Sequence, residues 1–110
     1  MKSPDRSPLH GQAETLVLAL LARHPAHGYQ LRQELATRSH AGFDLGFGTL
    51  YPLLRSLERQ GLVTAHWAKT GRLRKRREYT LTARGARALR AQTAAWRRFV
   101  AAMNRVLARS

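Results

Sequence analysis

The chain has 110 residues, enough for one domain, and its 20 Lys and Arg against 6 Asp and Glu give a formal net charge of +14. Such a charge indicates a polyanionic partner (DNA, RNA or an anionic membrane surface), and the predominance of arginine favours nucleic acid because guanidinium forms paired hydrogen bonds with phosphate and guanine. The absence of cysteine excludes disulfides, thiolate chemistry and zinc held by cysteine, and it is compatible with the cytoplasmic location that we expect.

The N-terminal segment, residues 1–9, is predicted to be a flexible arm. Its charges are not followed by an apolar stretch, so it lacks the pattern of a secretory signal. The longest apolar run, Leu16 to Ala22, is far too short to span a bilayer. We therefore expect a protein that has no membrane partner.

The first helix is predicted from about Gly11 to Arg23, and it is apolar almost all round. In so small a chain, such a helix indicates that a partner subunit covers part of it, at Leu16 and Leu20. Residues 24–28 contain a proline and a glycine and predict a turn.

The second helix is predicted from about residue 28 to residue 38. A glycine-containing loop over residues 39–48 should follow it. Within that loop, Phe43 and Leu45 alternate with small or polar residues and allow a short strand.

The third helix is predicted over residues 48–60 because its leucines form one apolar stripe with helical spacing. Pro52 is expected in the first turn, where it removes no intrahelical hydrogen bond, and Gly61 is expected to stop the helix. This helix has the features of a recognition helix. Its candidate DNA contacts are Arg55, Ser56 and Arg59, opposite the apolar stripe, and Thr49 and Tyr51, which flank the stripe. The alternative is an ordinary amphipathic helix with a solvated arginine face.

A basic β-hairpin is predicted next, with strands over residues 62–68 and 76–82. Six of the nine residues in the segment 69–77 are basic and none is acidic. A loop that only aids solubility would normally mix both signs of charge, so we expect Arg72, Arg74 and Lys75 to contact DNA. A helix followed by such a hairpin is typical of a winged helix-turn-helix, here residues 10–82.

The last helix is predicted over residues 83–108, with Thr82 as its N-cap, so that residues 83–110 form a dimerisation segment. Apolar residues recur along it with a seven-residue repeat, which favours a coiled-coil-like contact with a second copy. The expected interface residues on this helix are Leu89, Trp96, Val100, Met103 and Leu107. Trp96 is interpreted either as a large apolar residue within the interface or as a flat wall for a planar ligand, and the two roles are compatible.

The sequence gives little support for a catalytic site or a metal-binding site. The acidic residues form no close pair suited to acid–base catalysis, and no nucleophile or phosphate-loop motif is present, so we do not expect an enzyme or a cofactor. His24 and His27 are three residues apart, but Pro25 and Gly28 break the helix that would align them on a metal. We interpret His27 as a turn residue or a helix cap.

Several segments form one ordered pattern along the chain: residues 16–21, His27-Gly28-Tyr29, Gly48-Thr49-Leu50-Tyr51-Pro52 continuing to Val63, Trp67, the segment from Gly71-Arg72 to Tyr79, Leu81-Thr82-Ala83-Arg84-Gly85, and Trp96. Together they resemble the PadR family of bacterial transcriptional regulators. The resemblance implies a homodimeric winged-helix repressor in which the first and last helices pack against those of the other subunit. Within the family, the chain resembles most the compact subgroup. Some members of that subgroup bind flat hydrophobic effectors against an aromatic residue at the position of Trp96. Glu78 departs from the family pattern, since that position is often aromatic.

The sequence thus predicts a mainly α protein with a small β-hairpin, a winged helix-turn-helix followed by a long dimerisation helix. Its predicted function is that of a transcriptional regulator, a repressor that binds a pseudo-palindromic operator in double-stranded DNA as a homodimer and is released by a small hydrophobic effector. One alternative is an architectural DNA- or RNA-binding protein without sequence preference. Another is an interaction module whose last helix pairs with a different protein.

Overall fold

The computed structural model describes residues 8–70 and 74–108. In chain order this part contains α1 (Pro8–Arg23), β1 (Ala26–His27), α2 (Gly28–Arg38), α3 (Phe47–Arg59), β2 (Val63–Thr70), β3 (Arg74–Leu81) and α4 (Ala83–Leu107). The strands form one antiparallel sheet in the order β1-β3-β2. The predicted fold class, mainly helical with a small hairpin and a long last helix, is confirmed.

α1 lies at the centre of the chain's own core. It packs against α2, α4 and β3, and Val17, Leu18 and Leu21 are buried there. Leu20, at 6% exposed, is also enclosed within the chain, whereas Leu16 is partly buried. The burial that the sequence attributed in part to a second subunit is therefore largely achieved within one chain. α1 begins at Pro8, ahead of its predicted start, because the fixed φ of proline suits the first helical position.

The third strand differs from the prediction. Residues 24–28 were expected to form only a turn, but Ala26 and His27 pair with Tyr79 and Glu78 of β3. A strand of two residues is too short to show any alternation of apolar and polar residues, so periodicity cannot reveal it. Residues 43–45, where a short strand was allowed, have no regular structure and contribute apolar side chains to the core from a loop.

The middle of α3 also differs from the prediction. Pro52 lies in its second turn, since the helix begins at Phe47. Proline has no amide hydrogen, so the carbonyl of Gly48 receives no hydrogen bond from it. Gly48 is exposed, and water can therefore hydrate that carbonyl. Gly61 ends the helix as predicted: its φ is +77°, and the next amide, of Leu62, donates to the carbonyl of Leu57 at 3.0 Å.

Thr82 joins the end of α3 to the start of α4. Its backbone N–H donates to the carbonyl of Leu62 at 3.1 Å, and its hydroxyl lies 2.7 Å from the carbonyl of Gly61. The same hydroxyl accepts from the amide of Gly85 at 2.9 Å and so caps α4. Gly85 has to be glycine because a Cβ there would lie only 2.1 Å from the carbonyl oxygen of Leu62.

Thr82→Ala is expected to lower the free energy of unfolding by about 1–2 kcal/mol because it removes the N-cap of α4 together with the link to Gly61. Urea unfolding followed by far-UV circular dichroism measures the change. Thr82→Ser keeps the hydroxyl and should recover most of the stability. Equal loss in both variants would show that the methyl group, and not the hydroxyl, stabilises this junction.

Candidate nucleic-acid interface

An open groove of about 850 Å³ lies between the N-terminus of α2, one side of α3 and the hairpin of β2 and β3. Its lining carries four basic side chains and one acidic side chain, so it attracts anions. The lining residues are His27, Gly28, Tyr29, Phe47, Tyr51, Arg55, Glu58, Trp67, Lys75, Arg76, Arg77 and Tyr79. We refer to this feature as the basic groove.

The basic groove contains three of the predicted DNA contacts, Tyr51, Arg55 and Lys75. Thr49 and Arg59 are exposed on α3 outside the lining. Ser56 is half-buried, and its hydroxyl accepts a hydrogen bond from the side chain of Gln60 at 3.1 Å. Arg72 lies outside the described residues, and of Arg74 only the backbone position, at the start of β3, is described.

The α3 wall of the groove is built on stacked aromatic rings. The rings of Phe47 and Tyr51 stack with centroids 5.5 Å apart, and the guanidinium of Arg32 lies 4.9 Å from the centre of the Phe47 ring. Tyr51 remains 38% exposed and lies directly over the backbone of Gly28. A Cβ at Gly28 would be 2.6 Å from the tyrosine oxygen, so the absence of a side chain there determines where the Tyr51 ring can lie.

Gly28→Ala is expected to weaken DNA binding by about tenfold while leaving folding almost unchanged, because the displaced group is a side chain that can swing away. Tenfold corresponds to the loss of about one hydrogen bond to a charged phosphate. A gel-shift titration measures the affinity, and thermal unfolding measures the stability. On a Tyr51→Ala background the same change should have no further effect; an undiminished effect there would show that Gly28 does not act through Tyr51.

The hairpin wall places an arginine between an acid and an aromatic ring. Trp67 of β2 and Arg77 of β3 are directly opposite in the sheet. The guanidinium of Arg77 donates to the carboxylate of Glu58 on α3 at 3.1 Å and lies 5.6 Å from the centre of the Trp67 ring. Trp67 itself is 62% exposed. The ion pair thus ties the hairpin to α3 and leaves a large aromatic surface facing solvent.

Arg76 projects towards the N-terminus of α2. Its guanidinium lies 3.4 Å from Nε2 of His27 and 6.0 Å from the centre of the Tyr29 ring. His27 is the N-cap of α2, and its Nδ1 accepts from the amide of Gln30, which confirms its interpretation as a cap. Burial lowers the pKa of His27, Arg76 lowers it further, and Glu78 opposes both. A neutral imidazole has one acceptor nitrogen, so this ring serves either the cap or Arg76 as acceptor.

Glu78 and His24 have structural partners in the described residues. The carboxylate of Glu78 lies 3.1 Å from Nε2 of His66, directly across the sheet. Nε2 of His24 lies 3.1 Å from the carboxylate of Glu34.

Within residues 8–70 and 74–108 there is no group of three or more potential metal ligands, and no helix there is long and apolar enough to cross a membrane.

A second open cavity, of about 620 Å³, lies between α1 and α4. Trp96 and Phe99 line it, with ring centroids 5.6 Å apart, and both are about half exposed. Of the predicted interface residues, Leu16 and Leu89 are partly buried against the core, and Leu20 lies within it. Further along α4, Val100 is half-buried and Met103 and Leu107 are exposed, so this end of the helix presents an apolar strip.

Sequence reasoning missed several residues of the basic groove. These are Tyr29, Phe47, Trp67, Arg76 and Arg77. One signal was available: Ala65 and Trp67 lie two and four residues after the buried Val63 on β2, so all three share one face of the strand. The positions of Tyr29 and Arg76 depend on β1, which had no sequence signal.

The fold and the groove define a class of protein. Three helices, a basic hairpin against the third helix and a long fourth helix are the parts of a winged-helix DNA-binding domain with an added helix. The transcriptional regulator PadR-like family matches residues 17–91. The chain belongs to this family, and the resemblance drawn from its motifs is confirmed.

Solved structures with the same fold support this assignment. A PadR family transcriptional regulator from Eggerthella lenta is 38% identical, with 89% of this chain and 80% of that chain covered and a TM-score of 0.74. A PadR-like transcription factor from Bacteroides fragilis is 28% identical, with coverages of 90% and 93% and a TM-score of 0.75. A transcriptional regulator from Clostridium thermocellum has a TM-score of 0.84, with coverages of 91% and 97%; at 19% identity it shows the fold alone.

Sequence relatives give a similar result over a shorter span. The transcriptional regulator YqjI of Escherichia coli is 29% identical over 77 residues, which are 70% of this chain but 35% of that protein. The chain thus matches only about a third of the length of that relative. An uncharacterized protein X from Lysinibacillus sphaericus is 26% identical over 77 residues, covering 70% of this chain and 71% of that one.

Proposed function

We propose that this PadR-like regulator is a repressor that binds a pseudo-palindromic operator as a homodimer. The observation that carries the proposal is the basic groove, in which α3 and the hairpin present Arg55, Lys75 and Arg76 around one concave surface. In this arrangement α3 would enter the major groove, and the hairpin would lie over the adjacent backbone. Guanidinium and ammonium groups would position the protein on phosphates, and Arg55 or Arg59 would read guanine.

The N-terminus of α3 adds a further phosphate site to this proposal. Its N-cap is Gly46, which has no side chain to satisfy the first amides of the helix. Unpaired amides at the positive end of a helix dipole bind anions. The hydroxyl of Tyr51, one turn later and exposed, would donate to the same strand of the backbone.

The proposed homodimer forms along the apolar strip of α4. A contiguous exposed patch of this kind normally marks an interface, since leaving it in water is unfavourable. Trp96, Met103 and Leu107 would face the same residues of the partner around a twofold axis. Leu16 and Leu89 would lie at the edge of this contact, with Leu20 in the core beneath. The axis would set the two α3 helices about 34 Å apart, one turn of DNA.

The proposed effector is a small, planar, hydrophobic molecule. The cavity between α1 and α4 is predominantly apolar, and the indole of Trp96 provides a flat wall in it. A ligand bound there would lie next to the dimer contact. It would release the operator only if it binds the two arrangements of the subunits unequally.

Selection of binding sites from genomic fragments, followed by a gel-shift titration, tests the proposed function. An inverted repeat that resists competition by random duplex would support a specific regulator. Equal binding to every duplex, with a strong salt dependence, would favour the architectural alternative instead.

Sedimentation of the pure protein tests the dimer separately. A stable dimer would occupy the apolar strip with a second copy, and a monomer at micromolar concentration would favour the alternative in which α4 pairs with a different protein.

A further inference from the structure

The side of α4 opposite its apolar strip carries a second concentration of positive charge. Six exposed arginines lie on this side of the helix and its flanks, and we refer to them as the arginine face; they are Arg84, Arg87, Arg90, Arg97, Arg98 and Arg105. At 100° per residue, Arg87 and Arg105 lie about 160° around the helix from Met103. From Arg84 to Arg105 the face is about 31 Å long, at about 1.5 Å per residue. None of its members lines the basic groove, so operator binding as proposed leaves this charge unused.

The helix that carries the arginine face supplies no acidic side chain of its own. α4 contains no Asp or Glu at all. Elsewhere in the described part of the chain, Glu34, Asp44, Glu58 and Glu78 form ion pairs with groups outside α4. A helix exposed only for solubility normally mixes both signs of charge. Six like charges along one helix repel one another unless a polyanion lies beside them.

We infer that the arginine face of α4 is a second DNA-binding surface, which holds the phosphates of a duplex segment other than the one in the basic groove. The inference goes beyond operator recognition, and it uses the proposed dimer in one respect: a second copy covers the apolar strip and leaves the arginines outward. The length of the face is close to one turn of DNA, so successive phosphates are within its reach. The guanidinium of arginine is also the side-chain group that best matches the geometry of a phosphate.

A bilayer surface is the main competitor for this face, because a helix with arginines on one side and aromatic residues on the other can lie in a membrane interface. That mode needs the apolar side of the helix to enter the lipid. In the proposed dimer, Trp96 and Met103 are covered by the partner, and only charge is presented to the outside. The observations therefore favour DNA over lipid.

A capture assay tests the inference with the full-length protein. A duplex with the selected operator is fixed to beads and saturated with protein, and capture of a second, labelled duplex of unrelated sequence is measured. The test variant replaces Arg87, Arg90, Arg97, Arg98 and Arg105 with glutamine, which keeps helix propensity. Arg84 is retained because it packs against Gly61. Capture should fall at least about tenfold, and operator affinity at about 0.3 M salt, where long-range attraction is screened, should change less than about threefold.

The controls distinguish DNA binding by the arginine face from bridging by the basic grooves and from the proposed dimer and operator binding. A variant with lysine at the same five positions keeps the charge and should keep most of the capture; loss in both variants would overturn the role of charge. Capture unchanged in the glutamine variant would show that the two basic grooves of the dimer bridge the duplexes, and would overturn the inference. Sedimentation and operator titration of both variants test the proposed dimer and its specificity independently.

A measurement on the unmodified protein avoids any effect of substitution on folding. Phenylglyoxal labels exposed arginines, and mass spectrometry maps the labelled positions. In protein saturated with operator, excess unrelated duplex should protect Arg97, Arg98 and Arg105 at least about fivefold. Absence of protection, or protection by vesicles containing phosphatidylglycerol but not by duplex, would overturn the proposal.

Discussion

Replacing Met103 with aspartate is expected to convert the proposed dimer into monomers and to weaken operator binding by at least about a hundredfold. Met103 lies in the apolar strip of α4 and is 43% exposed within one chain. A twofold axis along this strip would bring two new carboxylates together in an apolar contact, where an unpaired charge costs several kcal/mol. A monomer would also contact only one of the two operator half-sites that the dimer would contact. Sedimentation velocity and gel-shift titration measure the two effects.

Asn104→Asp is the matched control for this experiment. It introduces the same charge one residue further along α4, on an exposed side chain outside the heptad positions. We expect it to leave the sedimentation coefficient unchanged. If Met103→Asp also remains dimeric, the apolar strip is not the dimer contact. If both variants become monomeric, the contact is not specific to the side of α4 that carries Met103, and the proposed position of the interface would be wrong.

The elements that sequence reasoning predicted well are those with a local physical signal. Thr82 has the hydroxyl that an N-cap needs, and Gly61 can adopt the positive φ that ends α3. The leucine stripe of α3 has helical spacing, and all four of its leucines are buried. Each of these features is determined by residues within one or two turns of the chain, so a single sequence is sufficient to find it.

The features that sequence reasoning missed depend on contacts between distant segments. β1 exists because Ala26 and His27 meet the edge of β3, some fifty residues later. The orientation of Tyr51 depends on Gly28, and that of Arg77 on Glu58. No local pattern specifies such a contact, because the residues are brought together only when the helices and the sheet pack. For α1, its near-continuous apolar composition suggested a partner subunit, but the chain's own core accounts for most of the burial.

The residues of the candidate site also divide into those with a local signal in the sequence and those whose positions depend on distant contacts. Arg55 and Lys75 could be assigned to one surface from sequence because helix and hairpin are adjacent in a winged helix. The aromatic residues of the basic groove could not, since Tyr29 and Trp67 are on elements whose mutual approach is set by the sheet. These two exposed rings give the groove apolar contact area that would suit the sugars of a DNA backbone, beside the charges that would hold its phosphates.

The double variant Arg55→Gln with Lys75→Gln is expected to weaken operator binding by about a thousandfold at 0.15 M salt. If each subunit neutralises about four phosphates, the dimer releases counterions with a slope of log K against log salt near −7, about −0.9 per phosphate. Removing two cations from each subunit should reduce the slope to about −3.5. The thousandfold loss follows if the affinities of the two proteins converge near 1 M salt. Titrations at several salt concentrations give both quantities.

The control for this variant changes the same net charge away from the basic groove. Arg23 and Arg38 are exposed at the ends of α1 and α2 and do not line the groove. Their replacement by glutamine should reduce affinity only through the long-range field, which is screened above about 0.15 M salt, where the Debye length is about 8 Å. If both double variants lose affinity equally and with the same slope, binding follows total charge, and the groove is not the operator surface. A reduced slope confined to Arg55→Gln with Lys75→Gln would mean that these two cations are in contact with phosphate.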